Sequence, residues 1–344
     1  MTTSAQPHAT PDIIMQLAWG YAPPMIVKAA VEHGIFEQLD QGAKTAPELA
    51  DAAAVPLRGV SAVANALVGI GLLTKDPEGR YSLTPESATF LVRGKPAYLG
   101  RLIWHTTVQI LPRWTRLGEV VRHGKPVGGV NQQEGGAEFF QEFVEDLFPL
   151  SYPAAQALAA ELKVSEASAP VGVLDLAAGS GVWSIALAQA SPRVAVTAVD
   201  WPVVLEVTRR MTSRFGVADR YTFVAADLGL ADFGHGHKIA TLGHILHSEG
   251  EARSRELLKK TFAALAPGGT IAIQEFLVDE HRTKNLMGLI FAVNMLVATD
   301  DGDTYTFEQI ANWLRDAGFV NVRQLNSPGP SPLILATRPL TSPL

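Results

Sequence analysis

No cysteine occurs in the 344 residues. Disulfides, thiolate nucleophiles and thiolate metal sites are therefore excluded together, although redox compartment is left open. Long apolar runs are also missing: no stretch of 18 residues is free of charges and helix breakers, so no segment reads as a membrane span. The first residues, MTTSAQPHATPD, have neither the basic start nor the apolar run of a secretory signal, and the expected location is the cytoplasm. Excess positive charge is lacking as well. With 28 Lys and Arg against 34 Asp and Glu, the formal net charge is −6, and no overall basic field draws the chain to nucleic acid or to an anionic membrane. What is present is a hydrophobic content of 47%. That excludes general disorder, and the length is comfortable for two cores, so a folded, soluble, two-domain protein is expected.

The segment SEASAP, residues 165–170, separates a helical first half from an alternating second half. In the first half, PPMIVKAAVEHGIFEQLDQG shows helical spacing of apolar residues ended by glycine, and two further short helical patterns follow in TAPELADAAAVPLRGVSAVANALVGIGLL. TKDPEGRYSLTPES then reads as a hairpin with a polar tip. Short helices closed by a hairpin make a winged-helix pattern, expected over 12–105. Its would-be DNA-reading helix, 57–68, carries a single base, Arg58, among alanines and valines. A helix that tracks phosphates brings several cations, so a scaffold or dimerisation role is the expectation. Apolar stretches such as MIVKAAVEHGIF and LIWHTTVQIL add hydrophobic surface beyond the needs of so small a core.

A connector is expected over 106–165. Its helical pattern from 134 to 162 repeats Phe139, Phe143 and Leu147 on one face, with Phe140 beside them. Each of these residues reads as core packing; together, just before the second domain, they can also roof an aromatic substrate. Trp104 and His105 on the preceding helical stretch carry the same two readings.

From 166 to 344, strand and helix patterns alternate. VGVLDLA leads into a helix, VAVTAVD into VVLEVTRRMTSRFG, YTFVAADL is followed by KIATLGHIL, and a long helix ends at LAPGG before TIAIQEFLV. AGFVNVRQL and SPLILATRP close the chain as a hairpin. Such alternation indicates a parallel sheet with helices on both faces, binding ligands beyond the carboxyl ends of its strands. The stretch LDLAAGSGVW stands at the first of these ends. Gly179 and Gly181 let the chain turn sharply and approach a ligand, and the helix that follows presents free N–H groups. A dinucleotide fingerprint would want a third glycine where Ser184 stands. The alternative pattern, Asp175, Ala177, Gly179 and Gly181, puts an acid beside the loop and suits a cationic amino-acid moiety. Asp200, 23 positions after Ala177, closes the second strand where a carboxylate can accept two ribose hydroxyls. Asp227 closes the third, where a carboxylate or its neighbour can read an adenine amine.

With these residues in place the sequence resembles the S-adenosylmethionine (SAM)-dependent small-molecule O-methyltransferases that carry an N-terminal winged-helix dimerisation domain, the plant caffeate and hydroxyindole enzymes and bacterial tailoring enzymes among them. The resemblance runs from about residue 12 onward. It implies an α/β fold: a class I (Rossmann-like) methyltransferase domain with a mixed sheet and a C-terminal hairpin, preceded by a mostly helical winged-helix dimerisation domain. SAM is the implied cofactor and a homodimer through the N-terminal domain the implied assembly, with a small molecule as the only other partner. Ala177 and Gly179 are expected against the methionine portion, Asp200 with Trp201 at the ribose, and Asp227 with Leu228 around the adenine. The family's base lies in an L-H-D-W segment; here GHILHSEGE puts His247 at the base position and Gly243 at the cofactor-contacting position before it. Glu275, 28 residues beyond His247, matches the carboxylate that orients the histidine. A second such glutamate is replaced by Thr304, with Asp303 adjacent.

The implied chemistry needs few groups. The sulfonium supplies the driving force, so the protein aligns the reactants, excludes water and removes a hydroxyl proton, a task suited to a histidine with its ordinary pKa of about 6.5. Trp104, Phe139, Phe143, His244, Asn294 and Met295 are the expected substrate-pocket residues. No metal is expected. Two other readings stay open: transfer to an activated carbon of a 2-oxo acid or macrocycle, with His244 and His247 as an H-x-x-H metal pair that lacks an evident third ligand, and a non-catalytic SAM-binding regulator, against which the absence of a basic helix face counts.

Overall fold

The computed structural model describes residues 9–126, 133–329 and 331–340, apart from the side chains of 133–138, 141 and 142. The chain divides into two compact units, Met1–Leu111 and Pro112–Leu344. In the first unit, helices Ala22–Glu32, Ile35–Asp40, Ala46–Ala53 and Leu57–Gly69 enclose Phe36, Leu49, Leu67 and Tyr81. Thr45 and Glu48 form a capping box at the start of Ala46–Ala53, each satisfying a backbone N–H that the first helical turn leaves free. The hairpin is present: Leu73–Lys75 pairs antiparallel with Arg80–Leu83, and Lys44–Thr45 adds a third short strand on the other side. Helix Leu57–Gly69 turns Val60, Ala64 and Leu67 into this core.

Seven strands form the main sheet of the second unit: β1 (Val171–Leu176), β2 (Val194–Asp200), β3 (Tyr221–Ala225), β4 (His237–Gly243), β5 (Leu265–Gln274), β6 (Val320–Leu325) and β7 (Leu333–Thr337). Their order is β3-β2-β1-β4-β5-β7-β6. The first five are parallel, and β7 runs antiparallel to both of its neighbours, which makes the sheet mixed and the last two strands a hairpin. The helices that pack around it are α1 (Gln133–Glu161), α2 (Val182–Ala190), α3 (Pro202–Arg214), α4 (Leu246–Ala264), α5 (Leu286–Ala298) and α6 (Phe307–Asp316), with a further short helix, Leu117–His123, ahead of them.

Because strand side chains alternate between faces, each strand serves two cores. Val173 and Val196 pack with Leu158 of α1, Ile185 of α2 and Leu205 of α3 on one side. Leu174, Leu176 and Leu242 pack with Leu258 of α4 and Ile310 of α6 on the other. Helix α2 is apolar all round, with every residue from Val182 to Ala188 buried, as expected of a helix enclosed on all sides rather than lying on a surface. LAPGG opens β5, but regular pairing with β4 begins only at Thr270: the register shifts between the His237–Leu265 and Ile239–Thr270 pairs, and Gly268 between them is left-handed at φ 77°.

Connections from β1 run outward through β2 and β3 on one side, and those from β4 run outward through β5 on the other. The order therefore reverses between β1 and β4, and a crevice opens beyond their carboxyl ends. Leu176 pairs with Val199 on β2 and with Leu242 on β4, which brings the loop after β1, Asp200 and Gly243 to one level.

Candidate active site

The loop from β1 to α2 holds three residues in left-handed conformation, Ala177 at φ 51°, Gly179 at 56° and Gly181 at 73°. An alanine there costs roughly 1 kcal/mol relative to glycine. At Gly181 the protein's own packing also disfavours a side chain, while at Gly179 one would make only an ordinary contact. A Cβ at Gly179 would stand 3.4 Å from Val144 Cγ1 of α1, and one at Gly181 would stand 3.0 Å from Thr208 Cγ2 of α3. Gly181 answers to the helix packed above it as well as to any ligand.

Two side chains clamp this loop. Asp200 Oδ2 accepts the Gly179 N–H at 2.8 Å, its Oδ1 accepts the Trp201 N–H at 2.7 Å, and the Thr208 hydroxyl donates to the Gly179 carbonyl at 2.7 Å. Burial pushes the Asp200 carboxyl up to about 6 against the pull of those two N–H groups. Each carboxylate oxygen keeps a further lone pair for a hydroxyl donor. Asp175 lies elsewhere: it is 1% exposed, accepts from the Thr241 hydroxyl at 2.7 Å, and accepts from Ser184 Oγ. It ties β1 to β4 and to the first turn of α2 beneath the loop. Burial also raises its pKa to about 6.

Beyond β3, Asp227 Oδ1 accepts the Gly229 N–H at 2.8 Å. Helix α4 holds this turn from outside: Lys260 Nζ donates to the Leu228 carbonyl at 2.8 Å, and Arg253 bridges Glu249 at 2.6 Å and Asp227 at 3.7 Å.

His247 and Glu275 meet at the start of α4. The His247 ring donates Nδ1–H to Glu275 Oε2 at 2.7 Å, and Glu275 Oε1 accepts the Leu246 N–H at 2.7 Å and the His247 N–H at 3.3 Å. The two residues are 8% and 1% exposed. Burial alone would raise the Glu275 pKa, but the His247 imidazole outweighs it and holds the carboxyl below the usual range. With Nδ1 committed as donor, Nε2 carries the free lone pair. Asp303 does not supply a second orienting carboxylate. Its oxygens are held by Arg282 at 3.0 and 2.9 Å, and only its backbone N–H reaches His247, at the carbonyl, 2.9 Å. Thr304 is buried and donates to the Gly288 carbonyl.

His244 follows Gly243 with φ 57°. The Gln274 amide donates to the Ser331 carbonyl at 3.1 Å, so its oxygen faces His244 Nε2 at 3.0 Å and makes that nitrogen the donor. Nδ1 is left as a buried acceptor without a partner, and burial lowers the ring's pKa to about 4. Phe276 and Phe291 enclose the histidines: the Phe291 ring meets His247 edge-on at 4.8 Å, and Phe276 lies 4.7 Å from His244 and 4.3 Å from Phe291. One nitrogen from each histidine and a Glu275 oxygen come within 4.8 Å of one another. The third group of a possible metal set is thus Glu275, which the H-x-x-H spacing alone did not reveal.

The other expected pocket residues divide. Asn294 accepts from Trp114 Nε1 at 2.9 Å, and Met295 is buried on the same helix, α5, that supplies Phe291. Phe139 rests on Phe143, Phe140 and Arg113, and Phe140 faces Trp201 at 6.1 Å. Trp104 belongs to the first unit, in Gly100–His105. Over Gly243 sits Trp183: a side chain at 243 would run into its Nε1 and stand 2.8 Å from its Cδ1. Trp183, Trp114, Phe276 and Phe291 were passed over in the sequence, where a lone aromatic in an apolar run carries no distinguishing spacing.

Residues 114–320 match the O-methyltransferase domain, and residues 15–93 match the O-methyltransferase dimerisation domain. The chain belongs to the O-methyltransferase family. It is a SAM-dependent O-methyltransferase. It is 32% identical to 3-hydroxy-5-methyl-1-naphthoate 3-O-methyltransferase of Streptomyces sahachiroi, over 95% of each chain. It is 28% identical to the tetracenomycin polyketide synthesis 8-O-methyl transferase TcmO of Streptomyces glaucescens, over 96% of this chain and 97% of that one. A candidate O-methyltransferase from Nostoc punctiforme superposes at TM-score 0.88 with 29% identity, covering 96% of this chain and 100% of the other. Human N-acetylserotonin methyltransferase, solved with SAM, shares the fold at TM-score 0.82 and 21% identity, with 98% and 100% covered. The crevice fits such a ligand. Its glycine loop follows a parallel strand, and the partly open Asp200 carboxylate retains acceptor capacity at the end of the next.

Proposed function

We propose that this O-methyltransferase methylates a hydroxyl of an aromatic, polyketide-type small molecule, with His247 as general base. The observation that carries the reading is the His247–Glu275 pair. It fixes Nε2 as the free acceptor beside two phenylalanines, just beyond the switch point of the sheet. When bound, SAM supplies an electrophilic methyl, so transfer forms an O–CH3 bond and breaks the S–CH3 bond. His247 Nε2 takes the hydroxyl proton, Glu275 stabilises the resulting imidazolium, and Phe276 and Phe291 exclude water from the reacting oxygen. The two Streptomyces relatives, whose names specify aromatic polyketide-type hydroxyls, support the substrate class.

In the same reading Gly179 and Ala177 lie against the methionine portion of SAM, Gly243 nearby, Asp200 and Trp201 at the ribose, and Asp227 with Leu228 at the adenine. Asp175 acts through the loop, since its oxygens already serve Ser184 and Thr241. Phe139, Phe143, His244, Asn294 and Met295 shape the acceptor pocket, and the part of the connector that belongs to the second unit roofs it. The first unit forms a homodimer. No single helix among the described residues is long and apolar enough to cross a membrane, consistent with a cytoplasmic enzyme. Metal-assisted transfer to carbon has one observation in its favour, the His244, His247 and Glu275 cluster, and against it the engagement of both Glu275 oxygens by N–H donors of Leu246 and His247.

The test is incubation with methyl-labelled SAM and a panel of phenols, hydroxyquinones and 2-oxo acids, with the label then located in the product. Label on a phenolic oxygen is expected, with His247→Ala lowering kcat by roughly 10²-fold or more at unchanged SAM affinity. Label on carbon, or wild-type turnover by the variant, would sink the reading.

A further inference from the structure

We propose that the Trp183 indole, whose nitrogen-bearing edge fills the space that Gly243 leaves by having no side chain, donates its N–H to the carboxylate at the methionine end of SAM. This rests on the reading that the crevice between β1 and β4 holds the cofactor. Trp183 is the second residue of α2, directly after the glycine loop, and is only 5% exposed. The nitrogen-bearing edge of its ring lies against Gly243, the last residue of β4; a Cβ there would collide with Nε1 and stand 2.8 Å from Cδ1 and 3.0 Å from Cε2. Gly243 is not in left-handed conformation, so what requires glycine at this position is the indole.

Trp183 Nε1 makes no hydrogen bond with a described residue, yet it is not among the sealed, unpartnered polar atoms of the protein. It therefore retains access from outside the core. Buried donors are rarely left unpaired, and an indole N–H can only donate. None of the nearby carboxylates takes it: Asp175 accepts from Ser184 and Thr241, Asp200 from Gly179 and Trp201, and Glu275 from His247, so the donor is open to an acceptor that a ligand brings. The ribose and adenine positions belong to the ends of β2 and β3, on the far side of β1 from Gly243. At the end of β4, beside the N–H groups at the start of α2, the acceptor that SAM offers is its amino-acid carboxylate.

The experiment compares two ligands by calorimetry: S-adenosylhomocysteine, which has that carboxylate, and methylthioadenosine, which lacks the amino-acid end. Trp183→Phe keeps the ring over Gly243 and removes the donor. It should weaken S-adenosylhomocysteine roughly tenfold or more, the loss expected of a hydrogen bond to a charged group, and leave methylthioadenosine unchanged. Unchanged affinity for S-adenosylhomocysteine, or equal weakening of both ligands, would overturn the assignment while leaving the cofactor site standing. A wild-type protein that binds neither ligand would overturn the site itself. A crystal structure of the wild type with S-adenosylhomocysteine decides the matter without a variant. Nε1 is expected about 3 Å from a carboxylate oxygen; an Nε1 facing any other group refutes the proposal.

Discussion

His247 depends on Glu275 for more than charge. One oxygen of Glu275 receives two backbone N–H groups and the other receives the ring. In Glu275→Gln the amide oxygen must face the two N–H donors, which turns the NH2 toward Nδ1 and forces the imidazole into the tautomer whose Nε2 carries the proton. The base is then absent although the shape is kept. We expect kcat to fall at least roughly 10²-fold, comparable with His247→Ala rather than milder; steady-state kinetics on both variants check this. His244 gives a separate test in pH. Its folded pKa of about 4 lies below the ordinary 6.5, so between these values the unfolded chain binds a proton that the native state does not, and stability falls as pH falls through that window. Asp175 and Asp200, raised to about 6, act in the opposite sense, losing stability as pH rises from about 4 to 6. His244→Asn, which tolerates the left-handed backbone, should remove up to about 1.4 kcal/mol per pH unit of acid sensitivity. Denaturant melts between pH 4 and 6.5 should show the slope of stability against pH shifted in the negative direction relative to the wild type, since the opposing contribution of Asp175 and Asp200 remains.

The glycine loop works as an element because its neighbours hold it. Asp200 grips Gly179 and Trp201 through their N–H groups, Thr208 grips the Gly179 carbonyl, and Thr208 crowds any side chain at 181. Asp200→Ala should therefore weaken SAM by about 1 to 3 kcal/mol, through lost ribose contacts and through a loosened loop. Titration calorimetry measures it, and unchanged affinity would mean that Asp200 is not at the ribose. The adenine-side turn is gripped likewise, by Lys260 and Arg253 of α4. His247 stands on the other side of Gly250, whose non-helical backbone at φ 76° kinks α4 between the base and the Arg253–Lys260 stretch.

On the scale of the whole molecule, the first unit exposes an apolar segment. Helix Asp12–Ala18 buries no residue: Ile13 is 65% exposed, Leu17 71%, and Trp19 just beyond it 60%. So continuous a surface marks an association site, and the match to a dimerisation domain over 15–93 points to a second copy of the chain. Light scattering at micromolar concentration should find a dimer, and Ile14→Glu with Leu17→Glu should shift it toward monomer. A wild-type monomer would refute the assembly.

The sequence by itself determined the succession of strands and helices, the terminal hairpin and the glycine loop, because each is written in local periodicity or in one short stretch of chain, while the pairing of His247 with Glu275 came from the family resemblance. It did not show that Asp175 faces inward to two hydroxyls or that Asp303 turns to Arg282. Nor did it connect Trp183 with Gly243, 60 positions apart, or bring Phe276 and Phe291 to the histidines. Those were decided by which strand lies beside which and by how helices fill the space above them. A residue's type states what it can bond to, and only the packed sheet decides which partner comes within reach.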